Sequence, residues 1–371
     1  MSLSNLFNLA GGALVAPSIV IPASVPLELS GEAVRGRICT FLDDTGSEWA
    51  LRPDLTLPVA LDEISARKSG DVSGESLRQY QAPVFRLPAI AGEPVEFEQA
   101  GFEIFGGAST PDVDASVLTS VIEACERGGR SDGQVSFGDL SLFPAFVDAL
   151  DLSDEASSGL KRAFRQEGGV RAYLTGQSAD SSGLAKRLKG MSRDEAAEFV
   201  EDIFKLTGIR PVGERSSDEI VERMFERANA GQGDLSSAAK TVLDRVLNVD
   251  GLVEDALREL TTIATEAGLS ALQPALDKLE QRHALIAEKT SSSWLDGAQF
   301  ATRFGRRFTY YDGFVFEVAA SSSAVDLAKP FAAGGRYDAL LSDLSMGDVD
   351  ETAIGGVVIP HRLSPTRGGV S

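Results

Sequence analysis

RRFTYYDGFVFEV, residues 306–318, sets two adjacent tyrosines before an Asp-Gly pair and an alternating apolar run. Asp-Gly between apolar runs predicts a two-residue hairpin, because the favoured turns need positive φ. Thr309 to Tyr311 then lie on one strand and Phe314 to Val318 on the next. Side chains alternate across a strand, so Tyr310 and Tyr311 are expected to face opposite ways. One tyrosine is core; the other must face something else. Downstream, AAGGRYDALL (332–341) puts a Gly pair at a strand end, where backbone or ligand can approach closely. Each signal alone fits an aromatic core with a tight turn equally well.

The chain around this stretch has two textures. Residues 1 to about 110 read as strand-rich. GRICTFLDD and SEWALRPDLTL flank DDTGS, a hairpin signal with Gly in the turn, and QYQAPVFRL and VEFEQAGFEIFG flank the loop PAIAGEP. PDVDASVLTSVIEACERGG reads as a capped helix, and GQVSFGDLSLFPAFVDAL as a short strand followed by a helix. From about 151, six runs with 3.6-residue periodicity follow one another. Among them are SRDEAAEFVEDIFKLTG, SSDEIVERMFERANAGQG and SALQPALDKLEQRHALIAEK. Strand texture returns near Trp294. A helical block of residues 151–295, interrupting a core of residues 1–150 and 296–371, predicts an α+β fold with an inserted helical subdomain.

Composition narrows the chemistry. The 371 residues carry 43% hydrophobic and 24% charged residues, ordinary for a globular chain. Lys and Arg number 35 against 55 Asp and Glu, a net charge of -20. Nucleic-acid binding draws on basic side chains that neutralise phosphates, so a nucleic-acid partner is not expected. No apolar run approaches the roughly 18 residues of a membrane span. The mildly apolar N-terminus lacks a basic n-region and reads as folded chain or tail. Cys39 and Cys125, far apart, fit a reducing cytoplasm. With only His283 and His361 and no metal-ligand spacing, neither a metal, a cofactor nor a His-based nucleophile is expected. His283, in a polar helical run, reads as solvated.

Six stretches, WALRPDLTLPVA (49–60), YQAPVFRLP (80–88), FEQAGFEIFGG (97–107), RRFTYYDGFVFEV, GGRYDAL (334–340) and AIGGVVIPHRL (353–363), occur in the order found in histidyl-tRNA synthetases. The chain resembles that family over perhaps 200 residues. The resemblance implies a class II aminoacyl-tRNA synthetase-like antiparallel sheet of about six strands, flanked by helices. It departs from the synthetases after Arg86, before the tyrosine pair and in the last motif. With nine residues after Arg362, no anticodon-binding domain is expected. This pattern is similar to the family of regulatory subunits of short-form ATP phosphoribosyltransferase, which perform no aminoacylation.

That resemblance implies a pocket for free histidine and no catalytic residues. Asp54, Thr56 and Gln99 would hold the ammonium, and Glu103 and Tyr311 the imidazole nitrogens. Arg306 would meet the carboxylate, Tyr310 would face the core, and Gly101, Gly334 and Gly335 would leave room. Arg86 and Arg362 would keep residual nucleotide or interface roles. Bland alternatives stand beside these: Asp54 and Thr56 as a turn after Pro53, Arg306 as a surface charge. Glu103 on an apolar strand is different, because a lone buried carboxylate is costly and wants a partner. The implied partners are a short catalytic subunit, a second copy of this chain through IPASVPLELSG (21–31), and histidine as effector. Two rivals are a truncated synthetase enzyme and a ligand-free scaffold.

Overall fold

The computed structural model describes residues 2–9, 11–89, 93–166, 168–175, 235–305, 309–321 and 329–363, with isolated positions in 191–199. SRDEAAEFVEDIFKLTG, SSDEIVERMFERANAGQG and Arg306 lie almost entirely outside the described residues. Contacts divide the chain into two compact units, Met1–Ala145 with Arg245–Ser371, and Phe146–Asp244. In the second, helices Asp154–Phe164 and Gly169–Thr175 bury Leu160, Phe164 and Val170. Helices Val253–Glu266 and Gln273–Lys289 belong to the first unit.

Twelve strands are described: β1 (Ala13–Leu14), β2 (Val20–Pro22), β3 (Thr40–Leu42), β4 (Glu48–Leu51), β5 (Ser76–Phe85) and β6 (Glu96–Phe105). Then come β7 (Gln134–Asp139), β8 (Asp250–Leu252), β9 (Gln299–Ala301), β10 (Phe314–Ala319), β11 (Ala332–Arg336) and β12 (Ala353–Val358). Nine form one sheet in the order β1-β5-β6-β12-β11-β10-β7-β9-β8. Its six central strands, β5 to β7 in that order, are antiparallel throughout, as expected. β1 and β9 add parallel to its flanks. The DDTGS hairpin forms as read, with Phe41 paired to Trp49. Its turn is set by Asp43, whose carboxylate accepts from the Thr45 and Ser47 amides and from the Trp49 indole.

The Asp312-Gly313 hairpin does not form. β10 pairs with β11 and β7, and residues 309–313 are turn and loop. Long-range bonds outcompete the local turn signal. The Asp312 amide donates to the Arg336 carbonyl at 3.1 Å, and its carboxylate accepts from the Asp338 and Ala339 amides. The pair thus ties the tyrosine loop to the end of β11 rather than closing a two-residue turn. With no strand at 309–311, the expectation that Tyr310 and Tyr311 face opposite ways also fails. Their rings lie 4.7 Å apart.

Helix Pro111–Arg127 covers one face of the sheet. Thr110 caps it, Pro111 fits the first turn, and Asp112 and Asp114 favour its N-terminal dipole. Asp114 is buried and holds two arginines, Arg282 from helix Gln273–Lys289 at 2.8 Å and Arg336 from β11 at 2.7 Å. Arg282 also reaches Asp139 of β7 at 2.7 Å and stacks on Phe314. Removing one member of a buried ion cluster leaves a charge uncompensated, at a cost of about 3–5 kcal/mol. Arg282→Ala should therefore lower unfolding stability by about that amount. Urea denaturation measures it, and a loss below about 1 kcal/mol would show that the cluster is not integral to the core.

Candidate functional site

The site begins where β4 ends. Arg52 is buried and donates to the carbonyls of Pro17 and Pro83, locking the Arg-Pro-Asp segment between two stretches of backbone. Asp54 then sits at the start of helix Thr56–Ser69. Its Oδ1 accepts from the Leu57 amide at 3.0 Å, and the Gln99 Oε1 accepts from the Leu55 amide at 3.1 Å. The turn reading of Asp54 thus holds for one oxygen, which caps the helix. The other, Oδ2, is buried with no partner. Burial pushes the Asp54 carboxyl up to about 6.

Strands β5 and β6 supply the next layer. Their register sets Arg78 opposite Glu103, Tyr80 opposite Gly101 and Ala82 opposite Gln99, so all of these share one face. Glu103 is 1% exposed. Its Oε1 accepts from Thr56 Oγ1 and from the Tyr80 hydroxyl, each at 2.7 Å, and its Oε2 accepts from the Tyr337 hydroxyl. Arg78, the cation on the same face, pairs with Glu63 instead. Among the described residues no ion pair reaches Glu103, and burial raises its carboxyl to about 7 against the pull of the three hydroxyls. β12 must run close beside it. A Cβ on Gly355 would lie 1.5 Å from Glu103 Oε2, so only glycine fits there.

Above these residues opens a hollow. Asp54, Thr56, Gln99, Tyr310, Tyr311 and Gly334 border it, as do Arg86 and Arg362. Both tyrosines face this one space, although Tyr310 is the more deeply buried and also packs in the core. Glu103, Gly101 and Gly335 do not border it. Glu103 lies behind Thr56, Gly101 makes way for the Tyr80 ring, and Gly335 for the Tyr311 ring. The Tyr310 hydroxyl is hydrogen-bonded to Thr56, and that of Tyr311 to Tyr310.

The hollow is bipolar. Its floor holds Asp54; its mouth holds Arg37, Arg86, Lys329 and Arg362 around Glu93, and the Arg86 charge favours the ionised form of Asp54. Arg362 and Lys329 reach Glu93 at 3.0 and 3.6 Å. Arg86 lies over the Phe97 ring at 4.8 Å, its Nε buried without a partner, and burial lowers it to about 10. Such an arrangement suits a zwitterion, with an ammonium toward Asp54 and a carboxylate toward the mouth.

Tyr80, Tyr337, Arg37, Glu93 and Lys329 escaped the reading of the sequence. Tyr80 was legible in principle, since alternation places it on the face of Glu103 once β5 and β6 are paired. Tyr337 lay inside the GGRYDAL stretch without a role. His283, read as solvated, is half-buried, and its Nδ1 has no partner. Among the described residues no cluster suits a metal ion, and no helix is long and apolar enough to cross a membrane.

Both raised carboxyls bind a proton more readily folded than unfolded. Their ordinary values, 3.8 and 4.5, lie below their folded values of about 6 and about 7. Their contribution to ligand-free stability is therefore full at acid pH and lost as pH rises through that window. Glu103→Gln removes one contribution and should flatten the decline. Urea unfolding across the window measures it; an identical slope in the variant would show that Glu103 does not titrate there.

Residues 1–363 match the family model described as histidyl-tRNA synthetase. The ATP phosphoribosyltransferase regulatory subunit of Chelativorans sp. (strain BNC1) is 31% identical over 365 residues, covering 95% of this chain and 92% of that protein. The protein of the same name from Mesorhizobium japonicum is 32% identical, covering 96% and 93%. Among solved structures, an ATP phosphoribosyltransferase regulatory subunit/histidyl-tRNA synthetase from Bacillus halodurans C superposes with a TM-score of 0.63. It is 22% identical, with coverage of 97% of this chain and 76% of that one. Histidyl-tRNA synthetase from Nostoc sp. PCC 7120 gives 0.58 at 15% identity, covering 97% and 68%. The motif order, the six-stranded antiparallel centre and these relatives together place the chain in the family of ATP phosphoribosyltransferase regulatory subunits, built on the histidyl-tRNA synthetase fold.

Proposed function

We propose that this chain senses free histidine in the hollow above Asp54 and transmits its occupancy to a short-form ATP phosphoribosyltransferase catalytic subunit. The observation that carries the reading is Asp54 Oδ2, a buried carboxylate oxygen with no protein partner, on the floor of a hollow with a cationic mouth. Burying a carboxylate oxygen without a hydrogen-bond donor is costly even with the Arg86 charge nearby, and a ligand ammonium would supply that donor. Thr56 and Gln99 flank the same position, and the paired tyrosines line the wall where an imidazole would sit. Arg86 stands at the mouth for the carboxylate; Arg306 remains the sequence's own candidate for that role.

The chain itself contributes no catalytic residue on this reading. The partner joins ATP and phosphoribosyl pyrophosphate in the first step of histidine biosynthesis, in the cytoplasm. Feedback requires that histidine favour one state of the complex, with a coupling of about 1–3 kcal/mol that is reciprocal for binding. Self-association through residues 21–31 is supported by the neighbouring three-stranded sheet. Val20, Pro22, Phe41 and Trp49 share its outer face, with Phe41 44% exposed.

Calorimetry tests the ligand. Histidine should bind, and Asp54→Asn should weaken it by about 2 kcal/mol or more, as truncation of a buried charge partner does. No heat of binding in the parent protein would sink the histidine reading. Co-expression with a short phosphoribosyltransferase should give a mixed complex more active than the catalytic subunit alone. A second reading, residual nucleotide binding, is favoured by the unpartnered Arg86 Nε and the cationic mouth. Robust histidine-dependent pyrophosphate exchange with ATP would support that reading and the synthetase rival with it.

A further inference from the structure

Four cations border the mouth of the hollow, but they are not equally available. Arg362 Nη2 and Lys329 Nζ both face one oxygen of Glu93, Oε1, at 3.0 and 3.6 Å. Arg362 Nη1 donates to the Pro330 carbonyl at 2.9 Å, and Arg37 Nε donates to the Leu87 carbonyl. Arg86 is different: its Nε is buried with no partner. Exposed ion pairs contribute little to stability and are readily given up to water. The Glu93 cluster is not of that kind. Its side chains are only 17% (Glu93), 21% (Arg362) and 30% (Lys329) exposed, so salt screens them less than it would a surface pair. The chain's own carboxylate thus fills one anion-binding place at the mouth and leaves another, at Arg86, for a ligand.

We propose that Glu93 is a specificity-determining residue of the hollow: by occupying Lys329 and Arg362 it leaves Arg86 to meet the single carboxylate of an amino acid and turns away polyphosphates. The inference rests on the histidine reading of the hollow and says which ligands that site refuses. Selection of this sort works through a built-in repulsion against the wrong ligand rather than through extra contacts to the right one.

The chemistry of the two ligand classes separates them here. A polyphosphate spreads several negative charges along its length and needs several cations at once. To reach Lys329 and Arg362 it must displace Glu93, or lie beside a carboxylate of its own sign, and like charges brought together at a desolvated site are costly. Asp54 and Glu317, the other acids bordering the hollow, add to that repulsion. An amino acid carries one carboxylate and one ammonium. Arg86 answers the first and Asp54 the second, so neither Lys329 nor Arg362 has to be released. Removing the Glu93 charge therefore opens the mouth to polyanions and changes little for a zwitterion.

The test measures binding of inorganic tripolyphosphate, which has no base to recognise, and of histidine to the full chain by calorimetry. Glu93→Gln removes the charge and keeps the shape and polar atoms of the side chain. Glu96→Gln, an exposed glutamate nearby that does not border the hollow, makes the same change in net charge and serves as control. Tripolyphosphate should bind Glu93→Gln at least about tenfold more tightly than the parent, and Glu96→Gln within about twofold of it. Histidine affinity should move by less than about threefold in both. Adding Lys329→Gln to Glu93→Gln should remove most of the gain, because the phosphates then lose a cation that Glu93 had held. Three results overturn the proposal: no gain in Glu93→Gln or in Glu93→Ala, an equal gain in the Glu96→Gln control, or a gain that survives in full without Lys329. An equal rise in histidine affinity overturns it too, since Glu93 would then repel every anion alike. If the parent protein does not bind histidine, the histidine reading falls, and the tripolyphosphate comparison still decides whether Glu93 keeps polyanions out.

Discussion

A carboxylate buried without a cation is the constraint around which this molecule is arranged. Glu103 sits on β6 with 1% of its surface exposed, and transfer of such a group from water is costly unless hydrogen bonds replace its hydration. Three hydroxyls do so, brought from the start of helix Thr56–Ser69, from β5 and from the end of β11. Each places a demand on its own element. The helix must begin with its first turn against the sheet, Tyr80 needs the space left by Gly101, and β12 must pass with glycine at 355. The glycine-rich centre of the sheet is thereby explained: β11 and β12 pair through Gly334–Gly356 and Gly335–Gly355, beside aromatic rings and the carboxylate.

The tyrosine loop connects this centre to the rest of the unit. Asp312 anchors one end to the backbone at 336–339, and Arg336 carries on to Asp114, Arg282 and Asp139. At the other end the Thr309 amide donates to the Leu29 carbonyl, at the close of the short helix Ser24–Leu29. Residues that border the hollow are thus tied through this loop to helix Ser24–Leu29 on one side and to a buried ionic cluster on the other.

Charge is distributed with the same economy. A chain of net charge -20 concentrates four cations at the mouth of one hollow, around Asp54, whose Oδ2 has no hydrogen-bond donor, and Glu103, which no ion pair reaches among the described residues. Low local dielectric strengthens every one of these interactions, so charges in the hollow act more sharply than they would on a surface patch.

The reading of the sequence succeeded wherever the signal was local. Alternation and turn residues located β3 to β6 and the DDTGS hairpin, and capping residues located helix Pro111–Arg127. The order of six short motifs identified the synthetase-like sheet and brought Asp54, Thr56, Gln99 and the tyrosine pair under suspicion together. The same local reasoning misplaced the tyrosines, because Asp312-Gly313 is a strong hairpin signal that loses to bonds with residues 336 to 339. That Glu103 would be buried and in need of partners followed from its apolar neighbours. That Thr56, Tyr80 and Tyr337 supply them did not, since the last is 234 residues away in sequence. Periodicity and turn chemistry act over a few residues and are written in the chain order itself. The polarity of the hollow arises from charges and hydroxyls that meet only when distant strands pair, and so it belongs to the tertiary structure alone.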